Sequence, residues 1–107
     1  MPPGALLALA IAVEVGATLA LRASDGFSKP VPSAIVVVGY LTSFWLLSLV
    51  LKHISVSTTY AIWAGAGTAA IALIGVLALG EPATALKLAS IGLIIAGVIG
   101  LNLSGAH

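Results

Sequence analysis

The sequence contains no cysteine, which excludes disulfides and thiolate metal sites and leaves the redox compartment unread. Charge is almost as scarce. Lys, Arg, Asp and Glu make up 7% of the 107 residues, where a soluble domain carries roughly a quarter. The formal net charge of +1 offers nothing to a nucleic acid or to an acidic partner. Apolar residues fill the space instead, at 61% of the chain, the composition of a membrane protein. A secretory leader is not the expectation. Met1-Pro2-Pro3-Gly4 puts no Lys or Arg ahead of the first apolar run, and cleavage after Ala12 would leave too short a core, so that run is expected to be kept as a span.

Four apolar runs are separated by short polar breaks. The first covers about residues 4–21, which at about 1.5 Å per residue reaches about 27 Å, close to a hydrocarbon core of about 30 Å. Arg22, Asp25, Gly26, Pro30 and Pro32 then read as a loop. The second run covers about 33–51 and is closed by Lys52-His53. The third runs over about 58–79, up to the break Gly80-Glu81-Pro82. The fourth covers about 86–104, ahead of a tail ending at His107. Short connections make sequential helices antiparallel neighbours, and an even number of spans puts both termini on one side. The reading is an all-α membrane protein, residues 1–107 forming one domain of four short transmembrane helices in the lipid bilayer. Arg22, Lys29 and Lys87 lie on one side and Lys52, with the terminal amine, on the other, a slight bias toward cytoplasmic first and third loops. So small a difference leaves insertion in both orientations open.

One residue is out of place. Glu14 interrupts the first run with no other charge nearby, and a carboxylate at membrane depth costs at least a few kcal/mol. Ten residues from Gly4 is about 15 Å, near the bilayer midplane. Its neighbours on the helix face are Leu7, Ala10, Ile11, Ala17, Thr18 and Leu21, several of them small enough for a close helix or a cavity. A protonated Glu14 serving only as packing glue is the structural alternative. An intramembrane ionisable residue is a functional site by default. No Lys or Arg elsewhere in a span could pair with it, Lys87 being at the entry of the fourth, so its neutralising partner is a proton or a solute arriving from outside.

The middle runs carry what a cation would want. Tyr40 and Phe44 are four residues apart with Ser43 beside them, and Tyr60, Trp63 and Gly67 share a helix face. A cation over such rings gains about 0.5–2 kcal/mol; an interfacial aromatic belt is the competing reading, strongest for Tyr60. Trp63 lies deeper and is read as lining, whereas Trp45 is off the Tyr40 face and reads as packing or lipid-facing. Gly65 and Gly67 are candidates for a hinge, or for close helix packing. The fourth run has Ser90, Gly97 and Ser104 at seven-residue spacing with Gly100 adjoining, a stripe that lets helices of two copies approach. Four short helices cannot easily enclose a path for a drug-sized solute. Two copies could, and would bring two Glu14 carboxyls together.

Taken in order, Ala12-Val13-Glu14-Val15, Ser24-Asp25-Gly26-Phe27, Ser43-Phe44-Trp45-Leu46-Leu47, Tyr60-Ala61-Ile62-Trp63 with Gly65 and Gly67, and Gly97-Val98 through Asn102-Leu103 resemble the small multidrug resistance family of bacterial inner-membrane exporters. The resemblance covers essentially the whole chain. It implies an antiparallel homodimer whose two Glu14 side chains form one site for protons and substrate. It also implies roles for Tyr40, Tyr60 and Trp63 in that site and for the Gly97 region in dimer contacts. The guanidinium-exporting branch of the family typically places a Trp three residues after the glutamate and a Lys near the C-terminus. Here these positions read Ala17 and Asn102, as in the branch that exports quaternary ammonium and polyaromatic cations. Departures from the family pattern are Ser55 and Ser57 for a Pro and a Gly, Thr59 for a smaller residue, and Ser90 for a glycine.

The expected activity is proton-coupled antiport of lipophilic cations, with Glu14, Trp63, Tyr60, Tyr40, Thr18, Ser43 and Phe44 at the shared site. Competition between cation and proton for one carboxylate site would couple the two flows. This is binding and exchange with no covalent step, so no enzyme, cofactor or metal centre is expected. Two other classes compete. A rotary-ATPase ring proteolipid also carries a lone membrane carboxylate, but normally with dense glycine repeats that are missing around Glu14. A helper subunit of a larger membrane complex would use Glu14 as glue.

Overall fold

The computed structural model describes residues 1–104; the tail at 105–107 lies outside them. It consists of four helices: α1 (Pro3–Ala23), α2 (Pro30–Val50), α3 (Val56–Ala78) and α4 (Ala85–Leu103). All four are long and apolar enough to cross a membrane. In hydrocarbon every backbone N–H and C=O has to be satisfied within the protein, and a helix does this along its own length. At the ends, where N–H and C=O groups run out of intrahelical partners, local devices take over.

Those devices explain where the observed helices differ from the expected spans. Pro30 and Pro32, expected in a loop, are in the first turn of α2. The first helical N–H groups have no intrahelical acceptor, so proline loses nothing there and its fixed φ favours the helix. Arg22, also expected in the loop, is in the last turn of α1, where a cation complements the helix dipole. Ser55 is the N-cap of α3, its side chain accepting from the Thr58 N–H, and Thr84 caps α4 by accepting from Lys87 N–H at 3.1 Å. After α1, Asp25, Gly26 and Phe27 all have positive φ (49°, 68° and 65°). This tight reversal is tied by the fully buried Ser24, whose hydroxyl donates to the Leu21 carbonyl and accepts from Phe27 N–H. After α3, Gly80 (φ 72°) turns the chain so that the N–H groups of Leu79 and Glu81 both reach the Gly75 carbonyl. The Glu81 carboxylate then lies over Gly75, where a Cβ would displace it, and pairs with Lys87 at 3.2 Å.

The helices pair into two compact units, α1 with α2 (Met1–His53) and α3 with α4 (from Ile54 onward). In the first, Leu7, Val36, Leu46 and Val50 are buried, while Val38, Leu41 and Trp45 point outward. Trp45, read as packing or lipid-facing, is exposed within this unit. Outward apolar residues suit a bilayer, which is the solvent these faces meet.

Candidate functional site

Glu14 sits near the middle of α1 and is half-buried. Thr18, one turn further on, lies on the same face, and its hydroxyl donates to Glu14 Oε1 at 3.0 Å. A helical threonine commonly bonds the carbonyl four residues back; here it bonds the side chain four residues back instead. Thr18 Oγ1 is also 2.7 Å from the Tyr40 hydroxyl of α2. The three side chains form one line of hydrogen bonds from α2 to the membrane carboxylate. Glu14 Oε2 has no hydrogen-bond partner among the described residues.

Two further contacts fix how α2 lies against this face. The fully buried Ser43 donates to the Ala10 carbonyl at 2.9 Å, one turn before Glu14. Beside the Tyr40–Thr18 bond the helices touch: a Cβ placed on Gly39 would be 2.7 Å from Ala17 Cβ. Ala10 lies opposite Ser43, and Ala17 and Thr18, further along α1, lie opposite Gly39 and Tyr40, earlier in α2, so α1 and α2 are antiparallel. Glu14 is bracketed by hydrogen bonds on both sides. Of the residues read as site candidates, Thr18, Tyr40 and Glu14 are brought together. Ser43 is nearby, with its hydroxyl committed to the helix contact. Phe44 packs with Tyr40, ring centroids 6.5 Å apart, and is exposed on its outer side. Gly39 was missed by sequence reading. Its signal was a small residue four before Ser43, facing the small residues already noted on α1.

In the second unit, Tyr60 and Trp63 form an edge-to-face pair with centroids 5.8 Å apart, Tyr60 exposed and Trp63 half-buried. One turn away, Thr59 is buried with its hydroxyl unbonded among the described residues. α3 continues as helix through Gly65 and Gly67. At Gly65 it meets α4 closely: a Cβ there would be 2.9 Å from Val98 Cγ2. On α4, Ser90, Gly97 and Ser104 are exposed, and Gly92, Gly97 and Gly100 have open space where a Cβ would go. The Ser90 and Ser104 hydroxyls bond carbonyls of their own helix, Leu86 and Leu101, so they can face an apolar surface with their donors satisfied.

Four spans, one half-buried carboxylate and aromatic side chains at span depth define a polytopic membrane protein built around an ionisable group, the pattern of a transporter. Comparison with known proteins specifies the class. Residues 5–94 match the family model of the Small Multidrug Resistance protein. The multidrug resistance protein Mmr of Mycobacterium tuberculosis is 44% identical over 102 residues, covering 94% of this chain and 95% of Mmr. The quaternary ammonium compound-resistance protein QacE of Escherichia coli is 47% identical over 97 residues, 91% of this chain and 88% of QacE. EbrB, a multidrug resistance protein of Bacillus subtilis, is 46% identical over 101 residues, 94% of this chain and 86% of EbrB. The chain belongs to the Small Multidrug Resistance family. It is a multidrug efflux transporter of the bacterial inner membrane and not an enzyme.

Proposed function

We infer that the protein is a proton-coupled antiporter that exports lipophilic and aromatic quaternary ammonium cations. Two copies assemble as an antiparallel homodimer, each chain's helices pack as one four-helix domain, and the two Glu14 carboxyls form a single site. The observation that carries this reading is the bonding of Glu14: a carboxylate at span depth whose hydrogen-bond partner is a neutral hydroxyl, with Oε2 open. A charge in that position needs a counter-charge, and protons and cationic substrates are the ones that come and go. Occupancy by one excludes the other, so a proton gradient drives cations the opposite way. The Tyr40–Phe44 and Tyr60–Trp63 ring pairs provide faces for an aromatic cation. The exposed small residues Ser90, Gly97 and Ser104 provide the contact between copies, and Gly65 and Gly67 the flexibility for alternating access. The similarity to QacE favours quaternary ammonium ions, as do Ala17 and Asn102. A guanidinium-type substrate is the second reading.

The test is a transport assay on the purified chain in proteoliposomes across a pH gradient, with quaternary ammonium and guanidinium cations compared. The wild-type chain exports the quaternary ammonium ions in exchange for protons, and Glu14→Gln reduces gradient-driven export to the level of empty vesicles. Full coupled efflux by Glu14→Gln would defeat the proposal.

A further inference from the structure

We propose that Thr18 is a positioning residue that reports the occupant of Glu14 to Tyr40, so that α2 distinguishes a bound proton from a bound cation. The proposal rests on the reading of Glu14 as the shared proton and cation site.

It follows from counting hydrogens. Thr18 has one hydroxyl hydrogen. While Glu14 is ionised it can only accept, so that hydrogen goes to Oε1, 3.0 Å away. The 2.7 Å contact between Thr18 and Tyr40 is then a hydrogen bond only if Tyr40 donates. The chain has a single polarity, Tyr40 to Thr18 to Glu14, ending on a negative charge. A proton on Oε1 turns Glu14 into the donor: Thr18 accepts from it, gives its own hydrogen to Tyr40, and the Tyr40 hydrogen has to leave the chain. A proton on Oε2 keeps the direction but removes the charge that strengthened it, since bonds to an ionised acceptor are roughly twice as strong as neutral ones. Either way the Tyr40 hydroxyl changes state.

A cation has the opposite effect. A quaternary ammonium ion has no N–H to donate, so it neutralises the carboxylate by proximity, on the side of the open Oε2, and leaves Thr18 donating to Oε1. Proton and cation thus compete for one carboxylate yet leave the same hydroxyl chain in different states: the cation keeps it ending on a charged acceptor, whereas the proton either reverses or weakens it. Tyr40 is on α2 beside Gly39, where the two helices are in close contact, so the difference is written at a point where α2 bears on α1. Tyr40 is the one titratable residue of α2, and besides Glu14 the charged or titratable groups of this unit, the Met1 amine, Arg22, Asp25, Lys29, Lys52 and His53, lie at the ends of the helices or in the connections.

The chain has two tyrosines, so the state of Tyr40 is directly measurable. Tyrosine labelled with carbon-13 at Cζ, whose shift follows hydrogen bonding of the attached hydroxyl, is incorporated into the full chain in bilayers, and Tyr40→Phe assigns the resonance. On acidification the Tyr40 resonance moves; in Glu14→Gln it does not. Tetraphenylphosphonium, an aromatic cation without N–H donors, is then added at low pH and returns the resonance toward its high-pH position. Thr18→Val, which matches threonine in shape, loses the acid response, and Thr18→Ser recovers it with helicity unchanged in both. An acid response that persists in Thr18→Val, or is missing in the wild type, overturns the proposal. If the probe binds in competition with protons while Tyr40 stays still, the relay falls and the exporter reading stands. If the probe does not bind but acid moves Tyr40 through Thr18, the link from Glu14 to Tyr40 stands, while its distinction of proton from cation falls together with the exporter reading.

Discussion

The two helix pairs of this protein are held by different means. Between α1 and α2, hydrogen bonds from Ser43 to Ala10 and between Tyr40 and Thr18 accompany a close contact at Gly39 and Ala17, beside the second of them. Where α3 meets α4 at Gly65, the neighbours are the apolar ends of Val98 and Ile94. Coverage differs too: 28% of the most apolar window of α2 is buried, against 6% for α4. Lipid tails are as apolar as leucine, so burial of apolar surface supplies little drive for helices to associate in a bilayer; close packing and polar bonds supply it. The pair that carries Glu14 uses both, and is fixed in register. The other pair leaves most of α4 uncovered, with its small residues facing outward. Rigidity has been placed at the carboxylate, and spare contact surface on the last helix.

Matched glycine substitutions put this contrast to its severest trial. Gly39→Ala pushes a methyl against Ala17 Cβ, with Ala17 Cα at 3.6 Å and the Val13 carbonyl at 3.8 Å behind it. Ala17 has no rotamer to change, so the helices have to separate, at a cost in the range of about 1–3 kcal/mol for overpacking. Gly65→Ala meets Val98 Cγ2 and, at 3.5 Å, Ile94 Cγ2, both of which can shift by side-chain motion. Its cost is expected below that of Gly39→Ala. Unfolding titrations with a denaturing detergent, followed by helical circular dichroism, rank the two. A Gly65→Ala cost equal to or above that of Gly39→Ala would show that the two contacts are equally rigid.

The outward face of α4 is tested next. Gly97→Leu fills open space within the chain, so it is expected to leave the chain's own stability nearly unchanged, apart from a gain in helix propensity of up to about 1 kcal/mol. It is expected to shift the cross-linked population from dimer to monomer. A population that stays dimeric would move the contact between copies elsewhere.

Much of this architecture could be read directly from residues. Four runs of the right length gave four spans, and Glu14 was conspicuous because its charge is isolated in an apolar run. Helix ends were less legible, because they depend on local satisfaction of the backbone more than on hydropathy. Pro30 and Pro32 resemble a loop until one recognises that a first turn has no N–H bonds to lose. Ser55 was visible only as a departure from a family pattern, whereas the structure makes it the cap of α3. At the site, the periodicity of α1 put Thr18 beside Glu14, but nothing in one helix says which residue of another will meet it. That Tyr40 reaches Thr18 while Ser43 turns to a backbone carbonyl depends on the rotation and register of α2. The close approach at Gly39 permits them, and its signal, a small residue four before Ser43, gains meaning only once the facing helix is known.

The smallest expected effect bears on the same register. Ser43→Ala removes the hydroxyl that donates to the Ala10 carbonyl. That carbonyl is not orphaned, because within α1 it also accepts the backbone N–H four residues on, that of Glu14 itself. The loss is one interhelical bond in lipid, about 0.6 kcal/mol on average and about 1.7 kcal/mol at most, read by the same detergent titration. The functional consequence should be out of proportion to that number. Ser43 and Thr18 hold α1 one turn before and one turn after Glu14, so losing the first leaves the carboxylate anchored to α2 through the hydroxyl chain alone. Combining Ser43→Ala with Thr18→Val should therefore cost more stability than the two single losses added together. Strict additivity would mean that the two bonds act separately and that Glu14 is not held between them.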